Sequence, residues 1–321
     1  MNTQSISFPL FGDGFSFNPP SYFTIFGFPI YYYAIMVFLG FSLAGLYIYK
    51  RREHFELSPD NVIEMVIFAI LGGIVGARIY YVLFRFDHFF GPGSNWLDIF
   101  RIRQGGLAVY GGIIGAIGLY ILYCHIKKIH FFKLFDAGVF GLFIGQSIGR
   151  WGNFFNREAF GVETSMPWRM GLTGVTGTIY VHPAFLYESV WNIIGFCILH
   201  FYSVKKGRKY FGQYFLFYVA WYGFGRFIIE GLRTDSLFIP GTAIRISQLL
   251  ALLSCVAALT FLIINHVKKT NTILKELPID ATDILEEYSD SIKDISVAEE
   301  QKQQEEENQN DCDETNDEEN H

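Results

Sequence analysis

The sequence predicts an all-α, polytopic integral membrane protein with about seven transmembrane helices. Three observations support this fold class: long apolar stretches, lysine-rich loops after alternate stretches, and charges that lie mainly in the loops and the C-terminal region. A helix needs roughly 20 predominantly apolar residues to cross a bilayer. Stretches of about that length occupy residues 30–49, 62–84, 107–123, 135–148, 184–204, 211–229 and 244–267.

The third and fourth stretches are less regular than the others. The fourth, residues 135–148, is short for a membrane crossing. Small residues let helices approach closely, and they also permit an irregular backbone where protein or a cavity surrounds the chain. The third stretch is interrupted by Gly111, Gly112, Gly115 and Gly118.

Basic residues predict the orientation of the chain, because cytoplasmic loops carry an excess of lysine and arginine. The lysine-rich groups follow the first, third, fifth and seventh stretches: Lys50, Arg51 and Arg52; Lys127, Lys128 and Lys133; Lys205, Lys206, Arg208 and Lys209; Lys268 and Lys269. The N-terminus is therefore predicted outside and the C-terminus in the cytoplasm. The chain divides into an outer-face N-terminal segment (1–29), a seven-helix membrane domain (30–269) and a tail (270–321).

The tail differs from the rest of the chain in charge. Residues 271–321 contain 18 of the 31 acidic residues and only three lysines. Because this segment is also rich in Gln and Asn and poor in aromatic residues, it is predicted to be a disordered cytoplasmic extension. The first 270 residues carry 22 basic and 13 acidic side chains. A basic membrane body suits anionic head groups or an anionic substrate, although orientation by positive loops explains many of these charges.

The predicted outer loops, residues 85–106, 149–183 and 230–243, carry arginine where the cytoplasmic loops carry lysine. Arginine binds carboxylate or phosphate groups in a bidentate manner, whereas lysine acts as a point charge. The outer face is therefore predicted to hold the functional site. The four cysteines lie far apart and form no CxxC pair, so the sequence predicts no disulfide framework, no metal site and no cofactor.

The run GRWGNFFNREAFG, residues 149–161, places charged and amide side chains at the end of an apolar, glycine-rich stretch. If the helix continues, Arg150 and Asn153 share a face at a spacing of three residues. Asn156, Arg157 and Glu158 follow within about two turns. Ionisable groups at membrane depth are costly, and this predicts a functional site. A helix end capped by polar residues is the structural alternative.

The run YGFGRFIIEGLR places Arg226 and Glu230 four residues apart near the outer end of the sixth stretch, with Arg233 just beyond. An arginine that precedes a glutamate is the weaker order for a helical ion pair. A partner elsewhere in the chain, or a ligand, is therefore expected for Arg226. A purely structural ion pair is the alternative.

Three further side chains are candidates for function. His182, in HPAFLYE at the start of the fifth stretch, could carry a proton or serve as a hydrogen-bonded structural group. Arg78 is a cation deep within the second stretch. Tyr110 stands between two glycine pairs in RQGGLAVYGG, where it could form hydrogen bonds, titrate or simply lie at the membrane interface.

Taken together in this order, these segments resemble the bacterial prolipoprotein diacylglyceryl transferase family over about residues 1–268. The run GRWGNFFNREAFG resembles the signature of that family. The resemblance implies transfer of the diacylglyceryl group of phosphatidylglycerol to the lipobox cysteine thiol of a preprolipoprotein, which yields a thioether and glycerol phosphate. It places the reaction at the outer face of the bacterial cytoplasmic membrane and implies no nucleic-acid partner.

The resemblance also implies roles for individual residues. The positions that match functional residues of the family are Tyr33, Arg150, Asn153, Glu158, Gly161, Arg226 and Glu230. The residues expected to bind phosphatidylglycerol are Arg150, Asn153, Gly161, Arg226 and Arg78. One position departs from the family pattern, because Tyr110 stands where many members have a histidine that has been cast as the catalytic base.

The residues leave the activation of the thiol open. Tyr110 could act as a base if cations lower its pKa, His182 is a second candidate, and a cationic site could itself stabilise the thiolate.

Two other classes of function are compatible with glycine-broken spans and buried arginines. One is a transporter or flippase for an anionic solute, and the other is a membrane scaffold without catalytic activity.

Overall fold

The computed structural model describes residues 5–12, 14–91, 94–102, 105–234, 236, 238–239, 241–242 and 244–267, with the side chain of Val109 excepted. The chain divides into two compact units, Met1–Thr270 and Asn271–His321, and every described residue belongs to the first. The predicted acidic tail therefore lies outside the described residues, as do Arg103, Lys268 and Lys269.

The described part of the chain is mostly helical, which confirms the predicted class of a polytopic membrane protein. Its helices are α1 (Tyr32–Lys50), α2 (Pro59–Phe84), α3 (Phe86–Phe90), α4 (Val109–Lys127), α5 (Phe131–Asn156), α6 (Ala184–Lys206), α7 (Gln213–Glu230) and α8 (Ile246–Val267). Six of these helices are long and apolar enough to cross a membrane: α1, α2, α4, α5, α6 and α8. α7 is not among them, because its tyrosines, glycines and charged residues lower its hydropathy.

Two of the irregular stretches form continuous helices. α5 has 26 residues, from Phe131 to Asn156, and is much longer than the predicted stretch 135–148. The difference arises because the first half of the 149–161 run continues the helix rather than ending it. In α4, glycine allows close contact with α2: a Cβ built on Gly115 would lie 2.6 Å from the Cα of Gly76, so neither position has room for a side chain.

Two small antiparallel sheets accompany the helices, and the sequence did not predict them. The strands are β1 (Ser5–Ser7), β2 (Ser16–Phe17), β3 (Tyr22–Ile25), β4 (Phe28–Tyr31), β5 (Met170–Gly174) and β6 (Gly177–Val181). One sheet has the order β2-β1-β5-β6, and β3 and β4 form a hairpin that leads directly into α1. Ile6 lies opposite Leu172, so the N-terminal segment is paired with the segment that precedes α6.

α5 packs against α1, α6 and α7 and thereby occupies the centre of the helical bundle. One buried cluster of aromatic and aliphatic side chains lies around its first half and includes Leu134, Phe140 and Tyr214. The second half of α5, which ends in the 149–161 run, lies next to the first turns of α6 and the last turns of α7. The charged residues of three segments are therefore brought to one end of the bundle.

Candidate active site

The end of α5 carries a short chain of polar contacts. The helix continues through Arg150 and Asn153, and the Arg150 Nη1 donates to the Asn153 Oδ1 at 3.3 Å. The helix ends at Arg157, whose φ of 54° lies in the left-handed region. The chain turns back there, so that the Glu158 Oε1 accepts from the Asn153 Nδ2 at 3.0 Å and the Asn156 Nδ2 at 3.2 Å.

Glu188, in the second turn of α6, is the centre of the charged site. Its Oε2 lies 2.6 Å from the Arg150 Nη2, and its Oε1 lies 3.1 Å from the Nη1 of both Arg226 and Arg233. Arg226 also pairs along its own helix, with its Nη2 2.6 Å from the Glu230 Oε2. We call these five residues the arginine cluster. Arg226 thus has both the intrahelical partner and a second carboxylate from another helix.

Burial divides the arginine cluster into an inner and an outer layer. The side chains of Glu188 and Glu230 are 5% and 2% exposed, whereas those of Arg150 and Arg226 are 23% and 19% exposed. The buried carboxylates therefore contact the arginines from the inner side of the cluster. A guanidinium carries five N–H donors, and two nitrogens of each of these arginines are engaged in the contacts above. Both guanidinium groups are partly exposed, so an anion can reach their remaining N–H groups.

Main-chain hydrogen bonds join three segments beside the cluster. The Gly161 N–H donates to the His182 carbonyl at 2.9 Å, the His182 N–H to the Val162 carbonyl at 3.1 Å, and the Val162 N–H to the Leu232 carbonyl at 2.7 Å. Gly161 also bridges to Arg233. A Cβ on Gly161 would lie only 2.7 Å from the Cβ of His182, so this position requires glycine.

The His182 imidazole is held by two further side chains. Its Nδ1 lies 3.0 Å from the Tyr187 Oη, and this hydroxyl accepts a 2.7 Å hydrogen bond from the Trp168 Nε1. Tyr187 immediately precedes Glu188 in α6. The imidazole is therefore hydrogen-bonded to the neighbour of the residue that supplies the central carboxylate. This places His182 at the border of the cluster.

An apolar cavity of about 590 Å³ lies between α1, α2, α4 and α5. Its lining includes Val37, Phe41, Val66, Ala69, Ile117 and Leu142. Tyr33 and Gln146 also line it, and Gln146 lies one helical turn before Arg150. The ring of Tyr33 contacts the backbone at Gly152, where an added Cβ would lie 2.7 Å from its Cδ2. Tyr33 therefore connects the cavity to the polar end of α5.

Two residues predicted for the site lie elsewhere. Arg78 donates to four main-chain carbonyls, those of Asp98, Ile99, Gly105 and Gly106, at 2.6–2.9 Å. Its guanidinium therefore holds the loop before α4, and the binding of phosphatidylglycerol by Arg78 stays a prediction. Tyr110, at the start of α4, is 59% exposed, and its hydroxyl has no hydrogen-bond partner in the part of the chain that the structure describes.

Two residues of the arginine cluster were not predicted as site residues. Glu188 lies within the HPAFLYE run, and Arg233 lies three residues after Glu230. An acidic residue within an apolar span was the available signal for Glu188, since a buried carboxylate needs a cationic partner. Among the described residues, no three His, Cys, Asp or Glu side chains are grouped so that they could hold a metal ion.

Comparison with known proteins gives a consistent result. The family model described as prolipoprotein diacylglyceryl transferase matches residues 20–264. The phosphatidylglycerol–prolipoprotein diacylglyceryl transferase of Clostridioides difficile is 39% identical over 254 residues, which cover 79% of this chain and 98% of the relative. The enzyme of the same name from Finegoldia magna is 39% identical over 253 residues, covering 79% and 96%. That from Clostridium botulinum is 41% identical over 249 residues, covering 75% and 94%.

Proposed function

This chain belongs to the prolipoprotein diacylglyceryl transferase family, and on that premise we propose that its arginine cluster is the catalytic centre. The enzyme transfers a diacylglyceryl group from phosphatidylglycerol to a prolipoprotein, which is the first step of lipoprotein maturation. The observation that carries the proposal is the position of Arg150 and Arg226 on either side of one buried carboxylate, with guanidinium edges left open.

The chemistry of the transfer accounts for these charges. The sulfur of the lipobox cysteine attacks the glycerol carbon that bears the phosphate, a C–S bond forms, and the C–O bond to the phosphate breaks. The bonding electrons leave with glycerol phosphate, so negative charge grows on the phosphate oxygens in the transition state. Preorganised cations at that point lower the barrier, and arginine suits phosphate geometry. We assign this role to Arg150 and Arg226.

The other residues of the site have supporting roles in this proposal. Glu188 and Glu230 orient the guanidinium groups, and Asn153 with Glu158 keeps Arg150 in position through the contacts at the end of α5. Gly161 allows the main chain of His182 and Leu232 to approach. The apolar cavity receives an acyl chain of the lipid. Tyr33 lies where this cavity meets the polar end of α5.

The thiol proton has two candidate acceptors. His182 is favoured by its place at the border of the cluster and by its contact with Tyr187. Tyr110 is the alternative that the family pattern suggests. Substitution distinguishes them: His182→Gln should lower the rate of transfer, whereas Tyr110→Phe should leave it unchanged. The opposite result would assign proton transfer to Tyr110.

We propose a seven-span topology in the bacterial cytoplasmic membrane, with α7 as the additional span and the arginine cluster facing outward. α7 packs against α5, α6 and α8, so its polar residues contact protein instead of lipid. The lysine-rich loops that follow α1, α4 and α6 would then lie in the cytoplasm. Cysteine labelling of the loop 207–212 and of the segment 162–168 from each side of the membrane tests this orientation.

The catalytic assignment is tested with purified full-length protein in detergent. Phosphatidylglycerol labelled in its diacylglyceryl unit is incubated with a lipobox peptide, and a peptide with serine in place of cysteine serves as substrate control. Arg150→Gln and Arg226→Gln should each lower transfer at least about 100-fold. Arg169→Gln is the matched control, because among the described residues this guanidinium donates to the Ser165 and Met166 carbonyls and lies over the Tyr180 ring, away from the arginine cluster. Equal activity of all three variants would refute the assignment.

A further inference from the structure

A second polar level lies one helical turn further into the bundle than the arginine cluster. Gln146 precedes Arg150 by four residues on α5, and Asn192 follows Glu188 by four residues on α6. Residues four apart share a helix face and lie about 6 Å apart along the axis. Since Glu188 contacts arginines of both α5 and α7, this face of α6 points between those two helices, and Asn192 faces the same gap.

Contacts between the helices define this gap. The Ser189 Oγ donates to the Ser147 carbonyl at 2.9 Å, which fixes α6 against α5 at this level. The Gln146 Nε2 donates to the Tyr218 Oη at 2.7 Å, which joins α5 to α7. Gln146 and Tyr218 therefore border a gap between α5 and α7, and helical spacing places Asn192 on the face of α6 that is directed towards it.

The two amides differ from the other polar groups at this level. Asn192 is 2% exposed, and neither its Oδ1 nor the buried Gln146 Oε1 has a hydrogen-bond partner among the described residues. Ser147 and Ser189 are similarly buried, but their hydroxyls donate to main-chain carbonyls. Buried polar atoms in proteins are nearly always paired, so two unpaired amides that face one gap indicate a ligand with complementary polar groups.

The depth of the gap and the chemistry of the amides identify that ligand. A carboxamide turned by 180° exchanges its oxygen and its NH₂, so each amide can present its NH₂ where its unpaired oxygen lies, and Gln146 then accepts from the Tyr218 hydroxyl. In a glycerophospholipid, ester carbonyls lie between the phosphate and the acyl chains. With the phosphate at the arginines, these carbonyls would lie one level deeper, at the height of the two amides. Gln146 also lines the apolar cavity, which continues in the direction of the chains.

We propose that Gln146 and Asn192 donate hydrogen bonds to the ester carbonyls of the diacylglyceryl unit and thereby orient the carbon that the thiol attacks. This inference rests on the proposed role of the arginine cluster in binding phosphate. The amides are positioning residues, because they touch the transferred group at a distance from the bond that breaks. A donor lipid without ester carbonyls should therefore be a poorer substrate, although its phosphate and its chains are unchanged.

The test compares diester phosphatidylglycerol with a dialkyl-ether analogue of the same chain length, both as donors to a lipobox peptide. Wild-type protein should transfer from the ether lipid with kcat/KM about 100-fold lower, because both amides lose their acceptor. Asn192→Leu should lose about tenfold with the diester lipid and lose nothing further with the ether lipid. Gln146→Met should behave in the same way. It provides the same comparison if Asn192→Leu folds poorly. Ser189→Ala is the control at the same level and should affect both lipids equally.

The outcomes separate this inference from the proposal on which it rests. Equal use of the two lipids by wild-type protein would overturn it while leaving the arginine assignment intact. An equal loss with both lipids in Asn192→Leu would also overturn it, because the amide would then act on the fold alone. If Arg150→Gln and Arg226→Gln retained activity, the role of the arginines would fail first, whichever result the ether lipid gave.

Discussion

The carboxylate of Glu188 lies 2.6 Å from the guanidinium of Arg150, and this contact joins the end of α5 to the beginning of α6. The same carboxylate reaches Arg226 on α7, so one acidic side chain holds three helices in register at the site. Glu188 is buried, and among the described residues its charge is compensated by these two arginines and by Arg233. The positions of Arg150 and Arg226 therefore depend on the buried carboxylate of Glu188.

Glu188→Gln should consequently impair both folding and activity. The substitution retains the size of the side chain but leaves three arginines without their common counter-charge, and breaking a buried ion pair costs about 3–5 kcal/mol. We expect a lower midpoint of thermal unfolding in detergent and a loss of transfer of at least about 100-fold. Glu163→Gln, at an exposed glutamate, is the control and should alter neither. Wild-type transfer by Glu188→Gln would contradict the central role of this carboxylate.

Two glycines of the 149–161 run should respond oppositely to substitution by alanine. In Gly161→Ala the new methyl group would lie 2.7 Å from the His182 Cβ and 2.9 Å from the Leu232 carbonyl, so the joined segments must separate. Activity should fall at least about tenfold. In Gly149→Ala the methyl group meets no atom within 4 Å, and alanine should stabilise the helix by roughly 1 kcal/mol.

Transfer rates and unfolding midpoints of these two variants, measured side by side, check the prediction. Similar losses in both would mean that the run is sensitive to helix conformation in general, and the contact with His182 would then have no special importance.

Arg157 connects the N-terminal segment to the site. Its guanidinium donates to the side chain of Asn18, to the Pro19 carbonyl at 2.6 Å and to the Ser21 Oγ at 3.3 Å. Because its φ of 54° suits glycine, Arg157→Gly relieves the backbone while it removes these bonds. Hydrogen exchange of residues 18–31 should therefore rise, and transfer should fall about tenfold as Tyr33 loses its support.

Arg169→Gly is the control for Arg157→Gly, because among the described residues the Arg169 guanidinium donates to the Ser165 and Met166 carbonyls and not to the N-terminal segment. Unchanged hydrogen exchange of residues 18–31 in Arg157→Gly would show that the segment is held by its other contacts. These include the stacking of Tyr32 on Phe155, whose ring centroids are 4.9 Å apart.

Sequence reasoning located the helices because long apolar stretches have a strong compositional signal. The predicted stretch ended too early in α5, because polar residues such as Arg150 and Asn153 are typical of a helix end when their contacts in space are unknown. The helix continues there because these polar groups bond to one another and to Glu188 across the gap between helices. Such pairing is tertiary and leaves no local pattern in the sequence.

The same limit applies to the strands and to the rest of the site. β1 pairs with β5 through Ser5 and Thr173, residues far apart in the chain, and strands of two to five residues have little periodicity of their own. Arg150 and Arg226 could be predicted as site residues because isolated arginines in apolar stretches are costly. Arg78 satisfied the same criterion, but in the structure its guanidinium donates hydrogen bonds to four main-chain carbonyls of a loop. The sequence gives no sign of these contacts.

Glu56, in the loop between α1 and α2, should make stability depend on pH. Its carboxylate lies 2.9 Å from the Lys133 Nζ and 2.7 Å from the Arg208 Nη2. Partial burial acts to raise the pKa of Glu56, but the hydrogen bond from Lys133 and the charge of Arg208 outweigh it, and the pKa is lowered overall. A carboxyl group whose pKa is lower in the folded than in the unfolded state stabilises the fold above its unfolded pKa. That contribution is lost as pH falls through the folded value.

The difference in unfolding midpoint between wild type and Glu56→Gln should therefore be positive at pH 7 and shrink towards zero below about pH 4. All other titrating groups are common to both proteins, so they cancel in this difference. Glu53→Gln provides the control, because Glu53 is 88% exposed and pairs only with the neighbouring Arg52 among the described residues. Its effect should be small at every pH, as exposed ion pairs contribute little. A difference for Glu56→Gln that stayed constant from pH 7 down to about pH 2 would mean that the glutamate acts through packing, since the loss of its charge would then have no consequence.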